Sequence, residues 1–239
     1  MITDLHCHVL PGMDDGSRSV EESLRMLRME AEQGVRRIAA TPHFYPGYDT
    51  PDAFLERRTQ AEQLLRRETM GITGLPKLDL GAEVYFFRGM SESDAMMDLT
   101  MYGKRCILVE LPMGRWDEEI YRELDRLAER RGVIPIIAHI DRYIAPFRTR
   151  GIPEKLAQMP VMVQANAEFF LNRKTAGLAM RMLASDRIQL LGSDSHNIKD
   201  RAPNLAPAVE SIRRKLGREA LVRIRRNERE IMGTMPVCK

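Results

Sequence analysis

The stretch Ile2-Thr3-Asp4-Leu5-His6-Cys7-His8, followed by Val9-Leu10-Pro11-Gly12-Met13-Asp14-Asp15-Gly16, decides how the chain is read. A short apolar run that stops at a His-x-His pair has the character of a strand whose end carries chemistry. Alternate side chains of a strand share a face, so His6 and His8 point one way while Cys7 points into packing on the other. Pro11, Gly12 and Gly16 then mark a tight turn able to swing Asp14 or Asp15 back over the strand end. Asp15, beside Gly16, is taken as the metal ligand and Asp14 as its support.

The pattern recurs along the chain. Strand-like runs follow at 35–40 (VRRIAA, leading into TPHFYP), 78–83 (LDLGAE), 106–110 (CILVE), 133–139 (VIPIIAH), 161–166 (VMVQAN) and 188–194 (IQLLGSD). Between them lie helical spacings. Ser19 with Glu22 resembles a capping box ahead of Leu24, Leu27 and Ala31, and Gly34 ends that helix. Asp52 to Thr69, IYRELDRLAERRG and TAGLAMRMLAS continue the alternation. Strands and helices in turn predict an α/β fold with a parallel sheet closed as a barrel, and residues 1–239 suit one domain.

In a parallel barrel the C-terminal strand ends meet on one rim. Here those ends carry His6 and His8, His43, Glu83, Glu110, His139, Asn166, and Asp194 with His196. The chain has only 5 histidines, and every one stands just past an apolar run. Carboxylates ending such runs are costly unless a cation neutralises them, so the pattern predicts divalent metal.

Composition narrows the alternatives. Lys and Arg number 37 against 34 acids, a formal charge of +3, too balanced to suggest nucleic acid. The basic run RIRRNERE reads as a solvated helix face. Cys7, Cys106 and Cys238 form neither a CxxC pair nor an even framework, which fits a reducing cytoplasm. No apolar run is long enough to span a membrane and no leader pattern is visible, so a cytoplasmic chain without membrane insertion is expected.

DLHCHVLPGMDDG, TPHFYP, GAEVYF, ILVELP, IIAHIDRY and LGSDSHN together resemble, in order and spacing, the polymerase-and-histidinol-phosphatase superfamily. Within it the likeness is to the bacterial manganese-dependent tyrosine phosphatases of capsular and exopolysaccharide loci, and it runs from the first strand through Arg201. The resemblance implies a distorted (β/α)7 barrel holding three divalent ions, manganese by family preference, with iron or zinc as chemically compatible alternatives. It implies one ion on His6, His8, Glu83 and Asp194, a second on Glu83, Glu110 and His139 with Glu83 bridging, and a third on Asp15, His43 and His196. It also places Arg142 and Arg201 on the phosphate. The chain departs from many relatives in having HIDRY where they have His-Pro-Glu-Arg-Tyr, which bears on the loop presenting Arg142.

The implied reaction is hydrolysis of phosphotyrosine by a metal-bridging hydroxide, with the arginine forks on the equatorial oxygens. The tyrosine-rich tail of a bacterial kinase controlling polysaccharide length is the implied substrate. Phe44, Tyr45, Tyr48, Phe86 and Phe87 are available either to wall the substrate ring or simply to pack. A cysteine phosphatase is excluded, because Cys7 and Cys106 lack an arginine six residues on. The nearest alternatives are a histidinol-phosphate or other small-molecule phosphatase, and a metal-stabilised binding module without catalysis. An amidohydrolase is disfavoured because Lys104 precedes its strand rather than ending one.

Overall fold

A computed structural model describes residues 2–103, 105–144 and 151–233; Lys104 and Cys238, singled out above, lie outside them. The chain runs β1 (Ile2–Cys7), α1 (Val20–Glu32), β2 (Val35–Ala40), β3 (His43–Phe44), α2 (Pro51–Thr69), β4 (Lys77–Leu80) and β5 (Glu83–Tyr85). A 3-10 turn at Asp94–Asp98 precedes β6 (Cys106–Glu110), α3 (Glu118–Arg131) and β7 (Ile134–Ile137). Then come α4 (Ile140–Ile144), α5 (Ile152–Leu156), β8 (Met162–Asn166), α6 (Ala167–Leu171), α7 (Ala176–Ala184), β9 (Leu190–Gly192) and α8 (Leu205–Met232), which bends at Gly217.

All ladders are parallel. β1, β2 and β4 form one sheet, and β3, β5, β6, β7, β8 and β9 form the other in that order. Strands covered on both faces read as continuous apolar runs, as β6 does with all five residues buried. The helices begin where polar side chains can take orphan N–H groups. Asp117 accepts from Glu119 and Ile120 ahead of α3, each at 3.1 Å. Ser19 accepts from Glu22 N ahead of α1, but the Glu22 carboxylate takes the N–H of Arg18 rather than that of Ser19. The box expected there is thus shifted by one residue.

Two of the expected strands are broken. The run at 78–83 stops at Leu80 and restarts at Glu83 in the other sheet, and the run after Val35 breaks at Thr41-Pro42 before His43. Proline has no N–H for a ladder, so the chain changes partners around Pro42. The bonding continues across the breaks: Thr41 N–H to Cys7 O at 2.9 Å, Gly81 N–H to Ala40 O at 2.9 Å, and Glu83 N–H to Pro42 O at 3.0 Å. Past β9 the chain returns to β1, with Asp194 N–H on His6 O (2.8 Å) and His8 N–H on Ser195 O (2.9 Å). The result is an α/β fold of curled parallel sheets whose C-terminal ends face one mouth.

Gly192 makes that return possible. A Cβ there would lie 2.6 Å from His6 Cβ and 2.8 Å from Gln164 Nε2, so any side chain would drive the two strands apart.

At the opposite end α8 buries Glu228 beside Thr3. Burial pushes its carboxyl up to about 7, against smaller opposing effects from the Thr3 bond and Arg225. The folded protein therefore retains a proton that the unfolded chain has lost, and the associated stability falls away as pH rises through 7. Glu228→Gln, neutral at every pH, should gain on the parent by on the order of 2 kcal/mol between pH 5 and pH 8 in urea denaturation. A constant difference across that range would show that Glu228 does not titrate as described.

Candidate metal centre

The mouth gathers the residues read from the strand ends. His8, Asp15, His43 and His196 offer ligand atoms all within 4.8 Å of one another, as do His6, His8 and Asp194, and likewise His43, Glu83 and Glu110. His139 Nε2 lies 2.7 Å from Glu83 Oε1 and 3.6 Å from Glu110 Oε1. Glu83 is also close to the first pair, its Oε2 being 3.1 Å from His6 Nε2 and 3.3 Å from His8 Nε2. His8 thus stands between two groups, where the resemblance implies only one.

Partners on the far side of the His6, His8 and His196 rings fix their tautomers. His8 Nδ1 faces Asp14 Oδ2 at 2.7 Å and so carries hydrogen, which turns Nε2 inward. His6 Nδ1 faces Gln164 Oε1 at 3.3 Å, with the same result. His196 Nδ1 donates to Asp194 O at 3.0 Å, and its Nε2 is buried without a hydrogen-bond partner, 3.3 Å from Asp15 Oδ1. Around Glu83 Oε2 three imidazole nitrogens crowd within 3.3 Å, the third being His43 Nδ1 at 3.0 Å, yet that oxygen makes no hydrogen bond. Glu110 Oε2 and His43 Nδ1 are likewise buried and unpaired. Lone pairs aimed at common points rather than at hydrogens are what cation sites require, and the imidazole and carboxylate set suits a divalent metal.

The charges within the mouth lean on one another. Burial alone would depress His8, but the Asp14 bond and the charges of Asp14 and Glu83 push it up to about 10. His6 is raised against its own burial by Glu83 and Asp194. Glu83 is buried, yet the His6 charge and the His139 bond hold it well below the carboxylate range. Asp194 is held low, against burial, by His6 and Arg142. Glu110 moves the other way, raised by burial and by the charge of Glu83. His196 falls to about 4 through burial and the neighbouring His8.

Arg142 and Arg201 converge on opposite oxygens of Asp194. Arg142 Nη2 bonds Oδ2, and Arg201 Nη2 reaches Oδ1 at 2.7 Å. Their side chains remain 33% and 35% exposed, so guanidinium edges still face the opening. Asp15 is exposed, at 67%, whereas the Asp14 side chain is only 7% exposed and accepts from Gly16 N (2.9 Å) and His43 N (2.8 Å) as well as His8. That division places Asp15 on the open side and makes Asp14 the brace.

Sequence reasoning missed the residues beneath the rim. Gln164 is fully buried; its Oε1 accepts from His139 N at 2.7 Å and faces His6, while its Nε2 donates to Asn166 Oδ1 at 3.0 Å. Asn166 in turn donates to Asp194 Oδ2 at 2.9 Å. His139 and Asp194 have φ of 30° and 54°, a backbone region costly for residues with a Cβ, and these bonds hold them there. Asp4 accepts from His6 N, Ser193 N and Ser193 Oγ, tying β1 to the chain after β9. The one available signal was that Asp4 and Gln164 interrupt apolar runs.

A further cluster, Asp4, Cys7 and Glu30, is wholly buried below the rim. Burial and the Asp4 charge push Glu30 up to about 10, so its carboxyl keeps a proton and shares it with Asp4. Burial also pushes the Cys7 thiol well up, which excludes it as a nucleophile. Of the loop aromatics, Phe44 and Phe86 are buried, with Phe44 edge-on to Phe54 at 5.3 Å, and Phe87 packs against the core.

Residues 2–232 match the profile of the CpsB/CapC capsular polysaccharide synthesis family. The chain belongs to that family. Tyrosine-protein phosphatase YwqE of Bacillus subtilis is 28% identical over 231 residues, covering 90% of this chain and 85% of its own. Tyrosine-protein phosphatase CpsB of Streptococcus pneumoniae is 28% identical over 225 residues, 90% of each chain. A crystal structure from the study of YwqE and CpsB as metal-dependent tyrosine phosphatases superposes with a TM-score of 0.84 at 24% identity, covering 99% of this chain and 96% of that one. The fold is therefore shared across the full span.

Gln164 carries a prediction. Gln164→Leu removes the acceptor for His139 N and the partner of His6 Nδ1, and loss of such outer bonds weakens metal binding by roughly 10- to 100-fold. Competition with a fluorescent chelator measures this directly, and unchanged affinity would show that the bonds beneath the rim do not set the ligand geometry.

Proposed function

We propose that the protein is a metal-dependent protein-tyrosine phosphatase that removes phosphate from a bacterial tyrosine kinase in capsular or exopolysaccharide synthesis. The observation that carries it is Glu83 Oε2, buried, unbonded and within 3.3 Å of three imidazole nitrogens. The names of the family's members supply the reaction class. In this reading the whole chain serves as one domain, and its two sheets are one distorted (β/α)7 barrel in which β2 with β3, and β4 with β5, act as broken single strands. The ligands are His6, His8, Asp15, His43, Glu83, Glu110, His139, Asp194 and His196, for three divalent ions, with manganese preferred.

Bound divalent ions supply Lewis-acid chemistry, making water acidic enough to yield hydroxide near neutral pH. The protein residues do the remaining work. Glu83 ties neighbouring ligand groups together through its two oxygens. Asp14 and Gln164 lock the rings of His8 and His6 with their Nε2 atoms inward. Arg142 and Arg201, anchored on Asp194, present their free N–H groups to the phosphoryl oxygens, where a guanidinium fork fits and developing charge is stabilised. A phenol leaving group with a pKa near 10 departs with little help from an acid, so aryl phosphates are favoured.

Manganese-loaded protein should hydrolyse a phosphotyrosyl peptide in preference to histidinol phosphate. The reverse preference would point to the small-molecule reading, and no turnover of either with metal bound would point to a binding module. His139→Ala should lose metal and activity together. Arg201→Ala should keep its metal content while kcat/KM falls by about 10- to 100-fold, the value of one charge-assisted bond. Full catalytic efficiency in Arg201→Ala would remove that residue from the phosphate site.

A further inference from the structure

A cavity of about 380 Å³ opens directly from the metal centre, within the roughly 300–1,000 Å³ of small-molecule sites. Asp15 and His43 form its inner end, and Met13, Tyr45 and Tyr48 continue outward from them. The Tyr45 ring is held in place: it stacks on His43 with centroids 5.1 Å apart and meets Tyr85 at 5.7 Å. It nevertheless stays 38% exposed, and Tyr48 is 95% exposed. The Asp49–Arg57 ion pair neutralises the outer wall of the cavity.

Two exposed tyrosines leading away from a phosphate-binding centre match the two ends of an aryl phosphate. We infer that Tyr45 and Tyr48 form an aryl subsite, in which the substrate ring packs on Tyr45 and Tyr48 covers it. This rests on the phosphatase reading for the position of the phosphoryl group. Tyr45 is braced before substrate arrives, so little ordering cost is left at binding. An alkyl phosphate fills the inner end alone and leaves both rings in water. Selection of tyrosine over serine phosphate thus comes from this loop as well as from leaving-group chemistry.

The test is calorimetric titration of the manganese-loaded full chain with phenylphosphonate and methylphosphonate, which share the phosphoryl end and differ by the ring. The parent should bind the phenyl compound roughly tenfold more tightly, from ring stacking plus burial. Tyr45→Ala and Tyr48→Ala should each erase most of that preference with methylphosphonate affinity unchanged, and Tyr45→Phe should retain it. Because Tyr48 is almost fully exposed, its variant guards against a folding artefact at Tyr45. A parent without preference, or a preference intact in both alanine variants, overturns the subsite. If phosphotyrosyl peptide is not hydrolysed but the alanine variants lose the phenyl preference, the subsite stands and the phosphatase reading falls. If the peptide is hydrolysed and both variants keep the full preference, the phosphatase reading stands and the subsite falls.

Discussion

Everything at the mouth depends on one constraint: Glu83 is buried with an oxygen that three histidine nitrogens approach and none satisfies. A buried carboxylate in that position is expensive unless cations lie among the nitrogens, and removing one partner of such a cluster leaves the others uncompensated. Protons meet part of the need, as the raised values of His6 and His8 indicate. They cannot meet all of it, because His6 Nε2 and His8 Nε2, 3.1 Å apart, leave room for one hydrogen between them and not for two. Divalent ions held there, as proposed, would resolve the conflict by replacing hydrogens with shared positive centres.

The fold serves that cluster by bringing strand ends together and holding them under strain. His139 and Asp194 are in left-handed conformations at the mouth, each held through its N–H: His139 on the Gln164 side-chain oxygen and Asp194 on His6 O. Gly16 contributes in the same way, because a Cβ at that position would strike His8 O at 2.4 Å, so the turn carrying Asp14 and Asp15 closes tightly onto β1. The helices outside, capped and amphipathic, supply the core against which these ends are rigid.

Much of this was legible in the residues. Period-two spacing put His6 and His8 on one face, and polar residues closing apolar runs marked the rim. The breaks at Pro42 and Gly81 were not legible, because LDLGAE is uniformly strand-like and only the three-dimensional pairing shows that Glu83 belongs to a different sheet from Leu80. Nor was Gln164 legible, since a single amide in a buried run has no periodic signature and its role lies in contacts with residues 25 and 158 positions away. Local sequence favoured Asp15 over Asp14 only by proximity to glycine; what separates the two physically is the three hydrogen bonds that Asp14 accepts, from His8, Gly16 and His43. The loop aromatics divided because Phe44 and Phe86 have core neighbours, whereas the tyrosines beside the centre do not.

Anomalous diffraction from crystals grown with manganese is the most direct measurement of the central claim. Separate peaks are expected within the groups built on His6, His8 and Asp194, on Glu83, Glu110 and His139, and on Asp15, His43 and His196, with Glu83 touching more than one. A well-ordered structure with the same side-chain positions and no anomalous density between Glu83 and the surrounding imidazoles would contradict it.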